Sequence, residues 1–166
     1  KRVAVQEAVR RIAGVTDPLE VLREVGGAEL VAIAAATVAA RLRSIPIVLD
    51  GYVVTTAVLP LSFVNPEALD HCTVGHCSAE PGHRKLLERL GKRPLLDLDM
   101  RLGEGSGAMA AVPLVATRGP GRIAIPRRAS IPALLMTRPS AAFMSDVSRG
   151  SGGTRIISGY ASIAAG

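Results

Sequence analysis

Apolar and polar residues follow one another along the first part of the chain at spacings that predict helices and strands in turn. Residues 1–13 carry apolar side chains at helical intervals, and Gly14 is expected to end this helix. A second helix is expected to begin with Asp17 as its N-cap and Pro18 as its first residue. The buried side of this helix should carry three aliphatic residues, namely Leu19, Val21 and Leu22.

The next stretch combines an alanine-rich helix with the first predicted strand. Residues 28–43 are apolar on most helical faces, which favours a helix packed deep against a sheet. Residues 45–49 form a short continuous apolar run, which is typical of a strand buried on both faces. Residues 52–64 again predict a helix, and Pro60 is expected to kink or end it.

The remaining pattern completes an alternating series of strands and helices. A short strand is expected from residue 71, followed by a loop and by a helix over residues 84–90 that Gly91 ends. Residues 95–100 predict another strand, and residues 108–115 predict the helix that follows it. This order indicates an α/β fold, a Rossmann-like and mostly parallel sheet that is flanked by helices.

A glycine loop joins the last predicted strand to the last predicted helix, and it reads Gly-Glu-Gly-Ser-Gly over residues 103–107. Such a turn exposes backbone N–H groups at a helix N-terminus, which is a natural place for an anion. Glu104 is the unusual member, because its carboxylate could act on a bound substrate as a general base. The structural alternative is an acidic first-turn residue that favours the helix dipole.

Asp50 is a second candidate, because it directly follows the strand predicted at residues 45–49 and precedes Gly51. In open α/β sheets, ligands collect at the carboxyl ends of the strands, so Asp50 could be a ligand group. An Asx turn at the end of the strand explains the same residue equally well.

A cluster of histidines and cysteines invites interpretation as a metal site. Its members are His71, Cys72, His76, Cys77 and His83. Neighbours on a strand point to opposite faces, and structural zinc sites usually space their ligands by two to four residues. We therefore expect buried thiols and a loop imidazole here, and no metal.

The composition indicates one globular domain with an aliphatic core. The 166 residues are 48% hydrophobic, 20% charged and only 2% aromatic, with no Trp. The low aromatic content argues against recognition of nucleic acid by base stacking. No apolar run is long enough to cross a bilayer, and two cysteines in a chain without a signal peptide indicate a reducing, cytoplasmic location.

The basic character of the chain is concentrated after residue 118. The formal net charge is +6, and residues 119–166 contain six arginines against one acid, Asp146. This segment is also rich in Pro, Gly and Ser, which predicts a poorly ordered tail. We therefore divide the chain into an α/β domain at residues 1–118 and a basic tail at residues 119–166. Binding of nucleic acid by the tail is a weak alternative.

Four segments carry a resemblance to a known family. They are EVGGAEL at residues 24–30, VLDGYVVTTA at 48–57, GHCSAEPGHRKLLERLG at 75–91 and PLLDLDMRLGEGSGA at 94–108. Together they resemble the nicotinate-nucleotide–dimethylbenzimidazole phosphoribosyltransferases, which act in cobalamin assembly. The resemblance covers about residues 3–116, and the last two motifs are the most specific.

The resemblance implies a transfer of phosphoribose from nicotinate mononucleotide to 5,6-dimethylbenzimidazole, giving α-ribazole 5′-phosphate and nicotinate. The family's glutamate in the glycine loop is the general base, and its position here is Glu104. The substrate-binding residues implied at matching positions are Asp50, Gly51, Ser78, Gly103, Gly105 and Gly107. The resemblance also implies a homodimer, and it points to neither a cofactor nor a membrane partner.

Two departures from the family qualify this interpretation and leave open the alternative of an inactive fragment or nucleotide-binding remnant of such an enzyme. The chain resembles roughly the C-terminal half of the family, and Cys77 stands where the family usually has an arginine, which would remove a cation near an anionic substrate. Residues 119–166 do not resemble the family's last helix. One hypothesis is a shifted reading frame in a GC-rich gene, and a family-like ending in the other frame of the coding DNA would test it.

Overall fold

The computed structural model describes residues 2–117 of the chain, and within them it forms six helices and three strands. The helices are α1 (Arg2–Arg11), α2 (Pro18–Val25), α3 (Gly27–Leu42), α4 (Tyr52–Val64), α5 (Pro81–Leu90) and α6 (Ser106–Thr117). The strands are β1 (Ile47–Leu49), β2 (Cys72–His76) and β3 (Pro94–Leu96). The tail predicted at residues 119–166 lies outside the described residues.

The three strands form one parallel sheet in the order β1-β2-β3. Leu49 stands opposite Val74, and His76 stands opposite Leu96, so the carboxyl ends of the strands lie at one edge of the sheet. Helices α4 and α5 connect successive strands, and α6 packs on all three of them. The predicted α/β fold with a parallel sheet flanked by helices is therefore confirmed.

The start of α2 follows the sequence prediction. Asp17 is the N-cap, and its carboxylate accepts a hydrogen bond of 2.8 Å from the backbone N–H of Leu19. Val21 and Leu22 are buried as expected. The prediction for Leu19 was wrong, since 37% of this residue is exposed.

Helix α3 does not pack deep against the sheet, so that prediction was also wrong. The helix lies mainly on α4 and α2, and it buries one narrow stripe of Leu30, Ala34, Thr37 and Arg41. Alanine-rich faces are compatible with either position, because a small side chain gains little free energy from burial and loses little from exposure.

Strands β1 and β3 are shorter and less buried than their apolar sequences indicate. In β1 only Leu49 is buried, and β3 ends at Leu96 rather than at residue 100. Helix α4 continues through Pro60 as far as Val64. Helix α5 begins at Pro81, three residues before the predicted start, and Gly91 ends it in the left-handed conformation.

The main apolar core lies between α2, α4, α5 and the sheet. Its innermost members include Val58 and Leu59 of α4, Leu49 of β1 and Val74 of β2. Helix α4 is buried along most of its length, which fixes the loop before it at the carboxyl end of β1. None of the helices within residues 2–117 is long and apolar enough to cross a membrane.

Candidate active site

A cavity of about 400 Å³ opens at the carboxyl edge of the sheet. Asp50 and Gly51 follow β1, while His76 and Ser78 end and follow β2. We call these four residues the strand-end wall. Another part of the lining includes Gly103, Glu104 and Gly105, which precede α6 and which we call the glycine-loop wall. The cavity is therefore bounded by segments that are distant in sequence but meet at one edge of the sheet.

Asp50 is held by the first turn of α6. Its carboxylate is almost buried, with 8% of the residue exposed, and Oδ1 accepts a hydrogen bond of 2.9 Å from the backbone N–H of Ala108. The acceptor thus satisfies one of the unpaired amides at the helix N-terminus and places a negative charge at the positive end of the dipole. This bond joins β1 to α6, so Asp50 is not held by a local Asx turn.

Ser78 and Gly51 are tied together by a chain of hydrogen bonds through His83. The backbone N–H of Ser78 donates to Nδ1 of His83 at 2.8 Å, which places the ring proton on Nε2. That Nε2–H donates to Oγ1 of Thr55 at 3.2 Å, and the Thr55 hydroxyl donates to the carbonyl of Gly51 at 2.8 Å. Each link in the chain is buried or partly buried, so the two loops of the strand-end wall are fixed relative to each other.

Burial keeps His83 neutral. Desolvation is the largest cause that lowers the pKa of His83 to about 4, with a smaller contribution from the neighbouring His76. A neutral ring is what the network requires, because a protonated Nδ1 could not accept the bond from Ser78.

The conformation of the glycine loop depends on positive φ angles of its backbone. Gly103 and Gly105 both have φ of +79°, and a Cβ atom at either position would meet nothing within 4 Å. Glycine is therefore required there by backbone conformation and not by crowding. Glu104 lies between them with φ of +56°, an uncommon conformation for a residue with a side chain, and its side chain is exposed at the cavity.

Gly107 does not line the cavity, unlike the other substrate-binding residues implied by the resemblance. It is buried against the ring of His76, and a Cβ atom here would lie 2.2 Å from Nδ1 of that ring. The close approach that this glycine allows is therefore to His76. Asp50, Gly51, Ser78, Gly103, Glu104 and Gly105 are brought together around the cavity.

Sequence reasoning missed His76 as a member of this wall. The residue is the last of β2, only 1% of it is exposed, and it contributes to the cavity lining. The rule that drew attention to Asp50, a polar residue at the carboxyl end of a parallel strand, applies equally to His76. It was weighed only as a metal ligand.

Arg101 and Glu80 form an ion pair of 3.2 Å at the mouth of the cavity. Both side chains are exposed, so the pair adds little stability, but Arg101 places a cation near the opening. Cys77, by contrast, is buried and does not line the cavity. The loss of a cation through the cysteine at this position stays a prediction.

The histidines and cysteines of residues 71–83 do not converge on one point. At the opposite edge of the sheet, Nε2–H of His71 donates to the carbonyl of Thr37, and burial raises the pKa of the Cys72 thiol to about 12. Within residues 2–117, no group of three or more His, Cys, Asp or Glu side chains could hold a metal ion.

A parallel α/β sheet with a cavity at its carboxyl edge, lined by apolar side chains and a few polar groups, is the arrangement of an α/β ligand-binding or enzyme domain. The particular family follows from comparison with known proteins. A family model described as a phosphoribosyltransferase matches residues 1–118, and the chain belongs to that family.

The relatives with similar sequences carry the same enzyme name. The nicotinate-nucleotide–dimethylbenzimidazole phosphoribosyltransferase of Brucella anthropi is 55% identical over 116 residues, which are 69% of this chain and 34% of that protein. The enzyme of the same name from Rhizobium rhizogenes is 58% identical over 100 residues, which are 60% of this chain and 30% of that protein.

A solved structure gives the same relationship. The crystal structure of the enzyme of that name from Thermus thermophilus is similar with a TM-score of 0.62 and 50% sequence identity. The match covers 66% of this chain and 33% of that one. The chain thus spans about a third of the length of the relatives it matches, less than the half that its motifs indicated.

Proposed function

We propose that this chain carries the catalytic glutamate of a phosphoribosyltransferase that moves phosphoribose from nicotinate mononucleotide to 5,6-dimethylbenzimidazole. The observation that carries the proposal is the position of Glu104, exposed on the glycine-loop wall and facing the same cavity as Asp50 and Ser78. The names of the relatives from Brucella anthropi and Rhizobium rhizogenes supply the two substrates.

The two sides of the cavity suit the two parts of this reaction. The strand-end wall is polar and carries the Asp50 carboxylate, which favours the hydroxyl groups of a sugar. Ile33, Val53 and Val54 contribute apolar surface to the same cavity, and an aromatic base would fit against them. Arg101 at the mouth would favour an anionic substrate.

In the proposed step, a ring nitrogen of dimethylbenzimidazole attacks the anomeric carbon of nicotinate mononucleotide. The bond between that carbon and the pyridine nitrogen breaks, and its electron pair leaves with nicotinate. The proton on the second benzimidazole nitrogen passes to the Glu104 carboxylate, so that no cationic product has to form. The configuration at the anomeric carbon inverts, and α-ribazole 5′-phosphate results.

The second candidate is an inactive fragment that keeps a nucleotide site but cannot turn over. It is favoured by one fact, the coverage of only about a third of each relative. In this alternative, nicotinate mononucleotide still binds the cavity, but no nicotinate is released.

Assembly of the chain as a homodimer also stays a prediction, which sedimentation velocity would test.

The test is to incubate the 166-residue chain with nicotinate mononucleotide and dimethylbenzimidazole and to measure the release of nicotinate. We expect turnover in the wild type and its loss in Glu104→Gln, which keeps the shape of the side chain but cannot accept the proton. Glu80→Gln is a matched control, because this acid lies at the same cavity but is paired with Arg101. Binding without release would support the inactive fragment, and the absence of both would contradict the two candidates.

A further inference from the structure

Two buried histidines lie next to each other beneath the cavity, with 6.3 Å between their ring centroids, and they differ in their partners. Both nitrogens of His83 are hydrogen-bonded. Neither Nδ1 nor Nε2 of His76 has a partner among the residues that the structure describes. Buried polar atoms are normally paired, so an unpaired pair of ring nitrogens requires an explanation.

The surrounding backbone makes room for the His76 ring. A Cβ atom at Gly107 would lie 2.2 Å from Nδ1 and 2.4 Å from Cγ, and one at Gly51 would lie 3.0 Å from Nε2. Any side chain at Gly107 would therefore overlap the imidazole. Glycine at these two positions, which come from different loops, fixes the ring in one place and leaves its polar atoms unpaired.

Nε2 of His76 lies close to Gly51, and both residues belong to the lining of the cavity. The position that a Gly51 Cβ would take is 3.0 Å from Nε2 of His76 and 3.7 Å from Cβ of Ser78. Gly51, Ser78 and His76 all line the cavity, and Asp50 lies beside them. The ring nitrogen thus lies at the strand-end wall, next to Gly51.

We propose that Nε2 of His76 hydrogen-bonds an oxygen of the phosphoribosyl group, which makes His76 a substrate-binding residue for the nucleotide. This inference rests on the proposed function. A sugar hydroxyl and a phosphate oxygen share the required chemistry, because either can accept a hydrogen bond from an imidazole N–H. The aromatic acceptor lies outside this contact, so its binding should not depend on His76.

The experiment measures the dissociation constant of nicotinate mononucleotide by titration calorimetry, with the 166-residue chain and two variants. His76→Gln places an amide nitrogen near the position of Nε2, and His76→Asn places one near Nδ1. We expect His76→Asn to weaken binding about tenfold, the effect of one hydrogen bond, and His76→Gln to recover most of the loss. A titration with nicotinate riboside, which lacks the phosphate, distinguishes the two oxygens.

Thermal unfolding without ligand separates this role from a structural one. We expect the two His76 variants to unfold at similar temperatures somewhat below that of the wild type, because both lose packing of a buried ring while no hydrogen bond within residues 2–117 is lost. His83→Asn is the matched control and should also unfold at a lower temperature, because it removes the Nε2–H that donates to Oγ1 of Thr55.

The outcomes are distinguishable. Equal dissociation constants for the wild type and His76→Asn would overturn the role of His76 and leave the proposed function in place. Equal weakening of binding in His76→Asn and His76→Gln would also overturn it, because the loss would then come from packing of the ring and not from a hydrogen bond at Nε2. The absence of nicotinate mononucleotide binding by the wild type would overturn both the inference and the proposed function.

Discussion

The two walls of the cavity are held in opposite ways. The strand-end wall is fixed by hydrogen bonds, from Asp50 to the start of α6 and from Ser78 through His83 to the loop after β1. The glycine-loop wall depends on left-handed backbone, and Glu104 projects from it with an exposed side chain.

This difference indicates that the two walls have different roles in binding and turnover. A buried, hydrogen-bonded wall holds a ligand in a defined position, because its groups cannot reorganise without breaking several contacts. An exposed carboxylate on a loop can reach a second substrate once that substrate has entered. Substitutions in the first wall should therefore change stability together with binding, whereas substitutions in the second should change turnover with little loss of stability.

The largest effect is expected at Glu104. Glu104→Gln should lower kcat by about 10²–10⁴, the usual contribution of a general base, because the amide cannot take the benzimidazole proton. The thermal unfolding temperature should stay that of the wild type, since the side chain is exposed. Steady-state kinetics and calorimetry of the same preparation measure both quantities. A large fall in the unfolding temperature would contradict the expectation that substitutions in the glycine-loop wall leave stability nearly unchanged.

The strand-end wall should respond to pH through His83. The pKa of His83 is about 4 in the folded chain, below the ordinary histidine value of about 6.5. Between these values the unfolded chain binds more protons, so the stability contributed by neutral His83 is complete above about pH 6.5 and is lost as the pH falls toward 4. The effect is of the order of 3 kcal/mol.

Urea unfolding at a series of pH values measures this contribution. Burial also lowers the pKa of His71, which will add a dependence of the same sign at the other edge of the sheet. The difference between the wild type and His83→Asn isolates His83. A variant that keeps the full pH dependence would show that the network from Ser78 to Thr55 does not depend on a neutral His83.

Gly107 and Gly105 sharpen the comparison, because they differ in their surroundings. Gly107→Ala would place a methyl group on the His76 ring, and we expect it to destabilise the fold by about 1–3 kcal/mol through overpacking. Gly105→Ala meets no atom within 4 Å, so it should show only the backbone cost of a positive φ, about 1 kcal/mol. Denaturant unfolding of the two variants side by side measures both values. An equal or reversed order would contradict the packing described for Gly107.

The smallest expected effect tests the strain at Glu104. Glu104→Gly should raise the free energy of unfolding by up to about 1 kcal/mol, because glycine adopts φ of +56° without steric cost, while turnover is lost. Asp99→Gly is the control, since Asp99 has φ of +52° but does not line the cavity. It should gain similar stability and keep its turnover. A loss of stability in Glu104→Gly would mean that the side chain helps to hold its loop.

The sequence was sufficient for the series of strands and helices and for the position of Asp50. Periodicity and the Asp17 N-cap are local properties, and a polar residue after an apolar strand needs no knowledge of partners. The position of α3 was not predictable in this way. Its faces are apolar almost all round, so the pattern does not say whether the sheet or α4 covers them.

The features that the sequence did not predict depend on contacts between residues that are distant in the chain. The role of His83 depends on Thr55, 28 residues earlier, and Gly107 is needed because of the ring of His76, far earlier in the chain. Neither contact can be recognised from the spacing of neighbouring residues in the sequence. His76 differs from these, because the strand-end rule would have found it if it had been applied to β2.

The most direct test of the central claim is a crystal structure of the 166-residue chain with nicotinate mononucleotide and dimethylbenzimidazole bound. We expect the Glu104 carboxylate within about 2.6–3.2 Å of a benzimidazole nitrogen, and the ribose against Asp50, His76 and Ser78. A benzimidazole bound elsewhere, or a Glu104 side chain turned away from its nitrogen, would contradict the account.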